Sequence, residues 1–176
     1  MSLEEILQGK RQTILQRWLD LVLESYSPDT SKFLKRKKDQ FGNPVGHALT
    51  QGLGGLCDAV LDGRDLDEVQ ALLEDVIRIR AVQELPPSVG VGFVFGLKQA
   101  LDDVLRDAQV SAEERRELDR RVDALALRAF DHYVACRHKI YELRIYELKS
   151  QTMDVRELVA RRKAQQKDKP SDNNGA

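Results

Sequence analysis

The sequence predicts an all-α protein of about five helices, the last far longer than the rest. Three observations carry this reading. Apolar residues recur at three- and four-residue intervals in almost every segment. The breaks between these segments fall at proline or glycine beside a polar cap. Between Ser111 and Pro170 there is neither proline nor glycine, so one helix of about 50 residues, about 75 Å at 1.5 Å per residue, is allowed.

The first helix is predicted over Ser2 to Ser25. Leu7, Ile14, Trp18 and Leu21 share a face that Leu15, Leu19 and Val22 widen. "SPDTS" ends it at Pro28, and a short basic segment, "KFLKRKKDQF", leads to "GNP". Asn43 before Pro44 is pushed out of the helical region, and Pro44 suits the first turn of a new helix. The second helix, Pro44 to Leu61, carries Leu49, Leu53, Leu56 and Val60 beside a stripe of Ala48, Gly52, Gly55 and Ala59. Each mid-helix glycine costs about 1 kcal/mol against alanine. The small stripe therefore predicts either a closely approaching neighbour or room for a ligand.

A third helix is predicted over Leu66 to Glu84, its apolar line Leu66, Val69, Leu73, Val76 continued by Arg80. A fourth runs from Pro87 to Ala108, with Gly92, Gly96 and Ala100 beside Phe93, Leu97, Leu101 and Val104. Ser111 caps the last helix, with Glu113 and Glu114 in its first turn. Its first stripe, Leu118, Val122, Leu125, Ala129, Tyr133, Cys136, Ile140 and Leu143, is expected to pack on the body. A second stripe, Tyr141, Ile145, Leu148, Thr152, Val155 and Val159, lies about 100° round the helix. The doubled "IYELR/IYELK" marks the change of face, because a five-residue step rotates the copy by about 140°. Such a seam needs a partner, and a second copy of the helix is the simplest one. The expected divisions are a helical body over 1–143, a coiled-coil-like extension over 144–162 and a disordered tail over 163–176.

Composition excludes several function classes. A net charge of -1 gives no global attraction to nucleic acid or anionic membrane. Two distant cysteines, Cys57 and Cys136, suit a reducing compartment, and no apolar stretch could span a bilayer, so a cytoplasmic protein is expected. No nucleophile elbow, P-loop, metalloprotease or dinucleotide motif occurs, and "GVGFVFG" sits inside a helical pattern. No enzyme is expected. His132 and Cys136 stand one turn apart, but two ligands do not make a metal site. The cluster Lys32, Lys35, Arg36, Lys37, Lys38 reads as a solvated face. Arg80 either snorkels, or bonds the last carbonyls of its helix, or pairs with an anion at a cavity mouth, with Gln83 one turn on and Gly52, Gly55, Gly92 and Gly96 as smooth walls.

"RWLDLVLESY", "FGNPVGHAL" and "IRIRAVQELPPSVGVGFVFGLKQAL" resemble the N-terminal sensor domain of RsbR-type stressosome proteins, the RsbT co-antagonist RsbRD most of all. The resemblance covers roughly residues 10 to 148, and the FxNPxG turn is among its most specific parts. It implies a globin-like fold without haem, a dimer, and a long C-terminal helix that passes the domain's state to a phosphorylatable STAS domain facing the kinase RsbT. This sequence carries no STAS domain, so the sensor module with a free-standing output helix is what transfers. The expected function is a non-enzymatic sensory or regulatory module of stress or redox signalling. It would dimerise, meet a protein partner and take a small apolar ligand, with no haem, metal, nucleic acid or membrane insertion. The alternative is a structural adaptor that binds another protein's helix without a ligand.

Overall fold

The computed structural model describes residues 2–26, 29, 31–32, 42–83 and 85–167, the side chains of 164–167 excepted. The chain is all-α, with no strand among the described residues. The basic cluster from residue 33 to 38 and the end of the chain from residue 168 lie outside them.

Helix α1, Leu3–Glu24, opens on a capping box. Ser2 Oγ accepts from Glu5 N at 3.2 Å and Glu5 accepts from Ser2 N at 2.8 Å, so both orphan donors are satisfied. Helix α2, Pro44–Asp62, shows what the FxNPxG turn does. The fully buried Asn43 caps it, Oδ1 accepting from Gly46 N at 2.8 Å, and Pro44 starts it. The Asn43 side chain lies over Gly46, where a Cβ would collide with it. Gly63 then closes the helix at φ 66, the left-handed conformation that glycine adopts at least cost.

The third predicted helix begins as a 3₁₀ turn, Leu66–Val69, before α3, Gln70–Ala81. The fourth is two helices, α4 over Pro87–Gly92 and α5 over Phe95–Leu105. The break has a physical cause. The Trp18 indole Nε1 donates to Phe93 O at 2.8 Å, and this carbonyl and its neighbours take tighter i→i+3 bonds, Gly96 N to Phe93 O and Leu97 N to Val94 O. Periodicity alone cannot see an indole that arrives from 75 residues away.

Helix α6 spans Ala112–Lys167 behind a second capping box, Ser111 with Glu114. It thus continues past residue 163, where order was expected to end. The chain divides into two compact units, Met1–Arg137 and His138–Ala176.

In the first unit, the body, α1 buries Ile6, Leu7, Ile14, Trp18 and Val22 and packs on α2 and α5. The small stripe of α2 faces α3: Gly52 receives Val76 and Gly55 receives Leu72, each filling the space a Cβ would need. The glycine cost is therefore offset by close helix packing. From α6 the body takes Leu118, Val122, Leu125, Ala126, Ala129 and Tyr133 as core.

The second unit behaves differently. From His138 to Lys163 every residue is exposed except the half-buried Ile140. Leu143, expected to finish the packed stripe, is 56 % exposed, so the burial it was assigned ends a few turns earlier, at Tyr133. No helix among the described residues is long and apolar enough to cross a membrane.

Gly52→Ala should destabilise the fold by about 1–3 kcal/mol despite its better helix propensity, because Val76 already fills the space. Val76→Ala in the same chain should recover part of the overpacking cost. Urea midpoints of the two single variants and the double variant measure this coupling.

Candidate functional site

The densest polar constellation in the body centres on Arg80, at the end of α3. Its side chain is fully buried. Nε donates to Gly90 O at 2.9 Å and Nη2 to Val89 O at 2.9 Å, both on α4. Nη1 donates to the Tyr26 hydroxyl at 3.1 Å and Nη2 reaches Ser25 Oγ at 3.4 Å, both just beyond α1. The guanidinium carbon also lies 5.4 Å from the Tyr26 ring centre and 5.0 Å from that of Phe93. Phe93 in turn stacks on Trp18 with centroids 6.3 Å apart. Burial draws the Arg80 pKa below its ordinary value, opposed by the Tyr26 hydroxyl, yet a guanidinium stays charged in a protein.

No carboxylate pairs with Arg80 among the described residues. Two carbonyls, two hydroxyls and two ring faces solvate the charge instead. Arg80 therefore does not snorkel into water. It ties the ends of α1 and α3 to α4.

A second set of bonds joins the same region to α6. The Tyr133 hydroxyl donates to Leu85 O at 2.6 Å, and its ring covers Gly90 so closely that a Cβ there would overlap it. Arg137 Nη1 donates to Ala81 O at 3.0 Å. The segment from Ala81 to Gly90 is thus held by Arg80 on one side and by α6 on the other.

The other predicted site residues separate into groups. Arg80, Gly92 and Gly96 border one open groove of about 500 Å³, with Phe93, Phe95 and Gln99. Gly52 and Gly55 are not part of it, because Val76 and Leu72 occupy their space, and Gln83 is exposed. The seam residues Tyr141, Ile145, Leu148, Thr152, Val155 and Val159 are all exposed, Leu148 at 63 %. His132 Nδ1 lies 3.8 Å from Glu74, and among the described residues no three His, Cys, Asp or Glu groups gather as metal ligands.

Sequence reasoning missed a second apolar surface, on the body. Phe95, Leu127 and Phe130 rim a groove of about 590 Å³ between α4, α5 and α6. A signal for it exists in the sequence: Leu127 and Val134 precede Tyr141 at seven-residue intervals.

A helical body held together by a buried arginine, followed by a solvent-facing apolar seam, has the layout of an interaction domain. Residues 12–146 match the RsbT co-antagonist protein rsbRD N-terminal domain, and the chain belongs to that family. It is a regulatory signalling family of the stressosome type, whose domains work in complexes with protein partners. An uncharacterised protein of Archaeoglobus fulgidus is 26 % identical over 154 residues, covering 85 % of this chain and 91 % of the relative. No solved structure matches.

Arg80→Met should lower stability by about 2–5 kcal/mol, since it removes the guanidinium donors to the buried Gly90 carbonyl and the part-buried Val89 carbonyl. Arg80→Lys should recover only part, lacking the planar fork, and chemical denaturation would rank the three proteins. The two thiols should also differ. Burial, reinforced by Asp58, pushes Cys57 up to about 12, whereas Cys136 is half-exposed. A disulfide reagent at about pH 8 should label one thiol in the native protein and two in denaturant, as only the thiolate reacts.

Proposed function

We propose that this chain is a homodimeric regulatory module of stress or redox signalling, acting in the cytoplasm, in which a change in the body passes through α6 to a protein partner. The observation that carries this reading is the exposed seam. Tyr141, Ile145, Leu148, Val155 and Val159 present apolar side chains to water at helix-pairing spacing, where a protein with no partner would place charge. Full burial of each such leucine or isoleucine contributes about 1.5–3 kcal/mol, enough in sum to hold two helices together.

The Arg80 constellation supplies the other half of the reading. Tyr133, the last fully buried residue of α6, is bonded to the loop that Arg80 also holds. A small apolar molecule in the groove beside Gly92 and Gly96 would press on Phe93 and Val89, both of which touch the guanidinium. Shifting that arginine would shift the seat of Tyr133 and so the register of the helix that carries it. A packed element with two discrete arrangements is what such a relay requires.

Ile145→Asp combined with Leu148→Asp should convert the dimer to a monomer in light scattering while leaving the helical circular-dichroism signal of the body unchanged. A doubly substituted protein that remains dimeric would sink the helix-seam reading. A wild-type protein that is monomeric at every concentration tested would favour an adaptor for another protein's helix.

A further inference from the structure

The open groove beside Arg80 borders a charge that no described residue neutralises. The groups that bond its guanidinium are all neutral: the Val89 and Gly90 carbonyls and the Ser25 and Tyr26 hydroxyls. Neutral dipoles solvate a buried cation without cancelling it, and a carboxylate makes the stronger, charge-assisted bond. The longest of these bonds lies on the groove. Arg80 Nη2 reaches Ser25 Oγ at 3.4 Å, near the limit of a hydrogen bond, while Ser25 Oγ donates to Val22 O at 2.6 Å. Ser25 is exposed and lines the groove together with Arg80. One movable hydroxyl therefore stands between the buried charge and whatever enters.

Much of the remaining wall is apolar and has space. Leu21, Phe93 and Phe95 line it, and a Cβ at Gly92 would meet no described atom within 4 Å. Gly52 and Gly55, by contrast, have that space filled by Val76 and Leu72. Small residues thus serve packing on α2 and leave room at the end of α4. Glu24 is the one acidic residue on the groove, and it is exposed. A second negative charge on a ligand would meet it, so a single anionic group is favoured. A volume of about 500 Å³ accommodates an aromatic ring or a short alkyl chain.

We propose that the groove binds a monocarboxylate with an apolar body. Its head displaces Ser25 Oγ from Arg80 Nη2, and its body lies against Phe93 and Phe95. This rests on the ligand-responsive reading above and names the chemical class of the ligand. Binding exchanges one tie between Arg80 and the end of α1 for a tie to the ligand, while the α4 carbonyls keep theirs. The carboxylate therefore acts at the joint between α1 and α4.

Isothermal titration calorimetry on the full chain tests this with three probes that share one body: phenylbutyrate, its neutral amide and phenylbutylamine. The carboxylate should bind at least about tenfold more tightly than the amide, and the amine least of all. Trp18, the only tryptophan, stacks on Phe93, so its emission should shift as the carboxylate binds. Ser25→Asp gives Arg80 a carboxylate of its own and should erase the preference for phenylbutyrate. Ser25→Asn, of similar shape and without charge, should keep it. Both substitutions fall on an exposed residue, and circular dichroism checks that the helices are retained. Equal affinity for the carboxylate and the amide would overturn the anionic head and leave an apolar ligand in the groove. A preference that survives Ser25→Asp would overturn Arg80 as its seat. If no probe binds, the site itself is lost, whereas the helix seam, which light scattering of the Ile145→Asp, Leu148→Asp protein tests, is unaffected.

Discussion

The body of this protein depends on keeping one positive charge out of water. A buried guanidinium costs several kcal/mol in desolvation unless its donors find acceptors and its faces find polarisable groups. Arg80 finds both, and the groups that solvate it come from separate parts of the chain. The carbonyls come from α4, the hydroxyls from just beyond α1, and the second aromatic face from Phe93, which Trp18 holds in place. None of these elements can move far without exposing the charge or stranding a carbonyl. That makes the arginine a brace between the ends of α1, α3 and α4.

Around this brace the packing follows from residue size. Helix α2 presents glycines to α3, so that Val76 and Leu72 sink into its surface. Gly90 gives the same allowance to the ring of Tyr133. These approaches bring α3, α4 and α6 within hydrogen-bond reach of the Ala81–Gly90 segment, and larger side chains would hold them apart. Full burial along α6 ends at Tyr133, and from His138 to Lys163 every residue but Ile140 is exposed. The helix therefore has two kinds of apolar residue: those buried within the body, and those exposed beyond it.

Much of this was legible in the residues. Ser111 caps α6 with Glu114 in its first turn, and Asn43-Pro44 opens α2. The family resemblance read from the FxNPxG turn and the Ile77–Leu101 stretch agrees with the match over residues 12–146. Other features were not legible for identifiable reasons. The break at Phe93 is made by a distant indole, which no local pattern contains. The reading of Gly52 and Gly55 as cavity walls was one of two consistent with small residues, and only the position of Val76 and Leu72 chooses between them. The body's apolar surface was overlooked because Leu127 and Phe130 fall between core positions of the same helix, and exposure cannot be read from hydrophobicity alone.

Local chemistry and spacing therefore determined the helical class, the caps and the helix that runs on without proline or glycine. These depend on interactions within a few residues of one another, which the order of side chains specifies directly. Tertiary structure decided the rest: which small residue receives a neighbour, where the fourth helix breaks, and what surrounds Arg80. Each of those depends on groups brought together from opposite ends of the body. An arginine that continues an apolar stripe could point to water or to the core, and only the assembled carbonyls, hydroxyls and rings make the core the lower-energy choice.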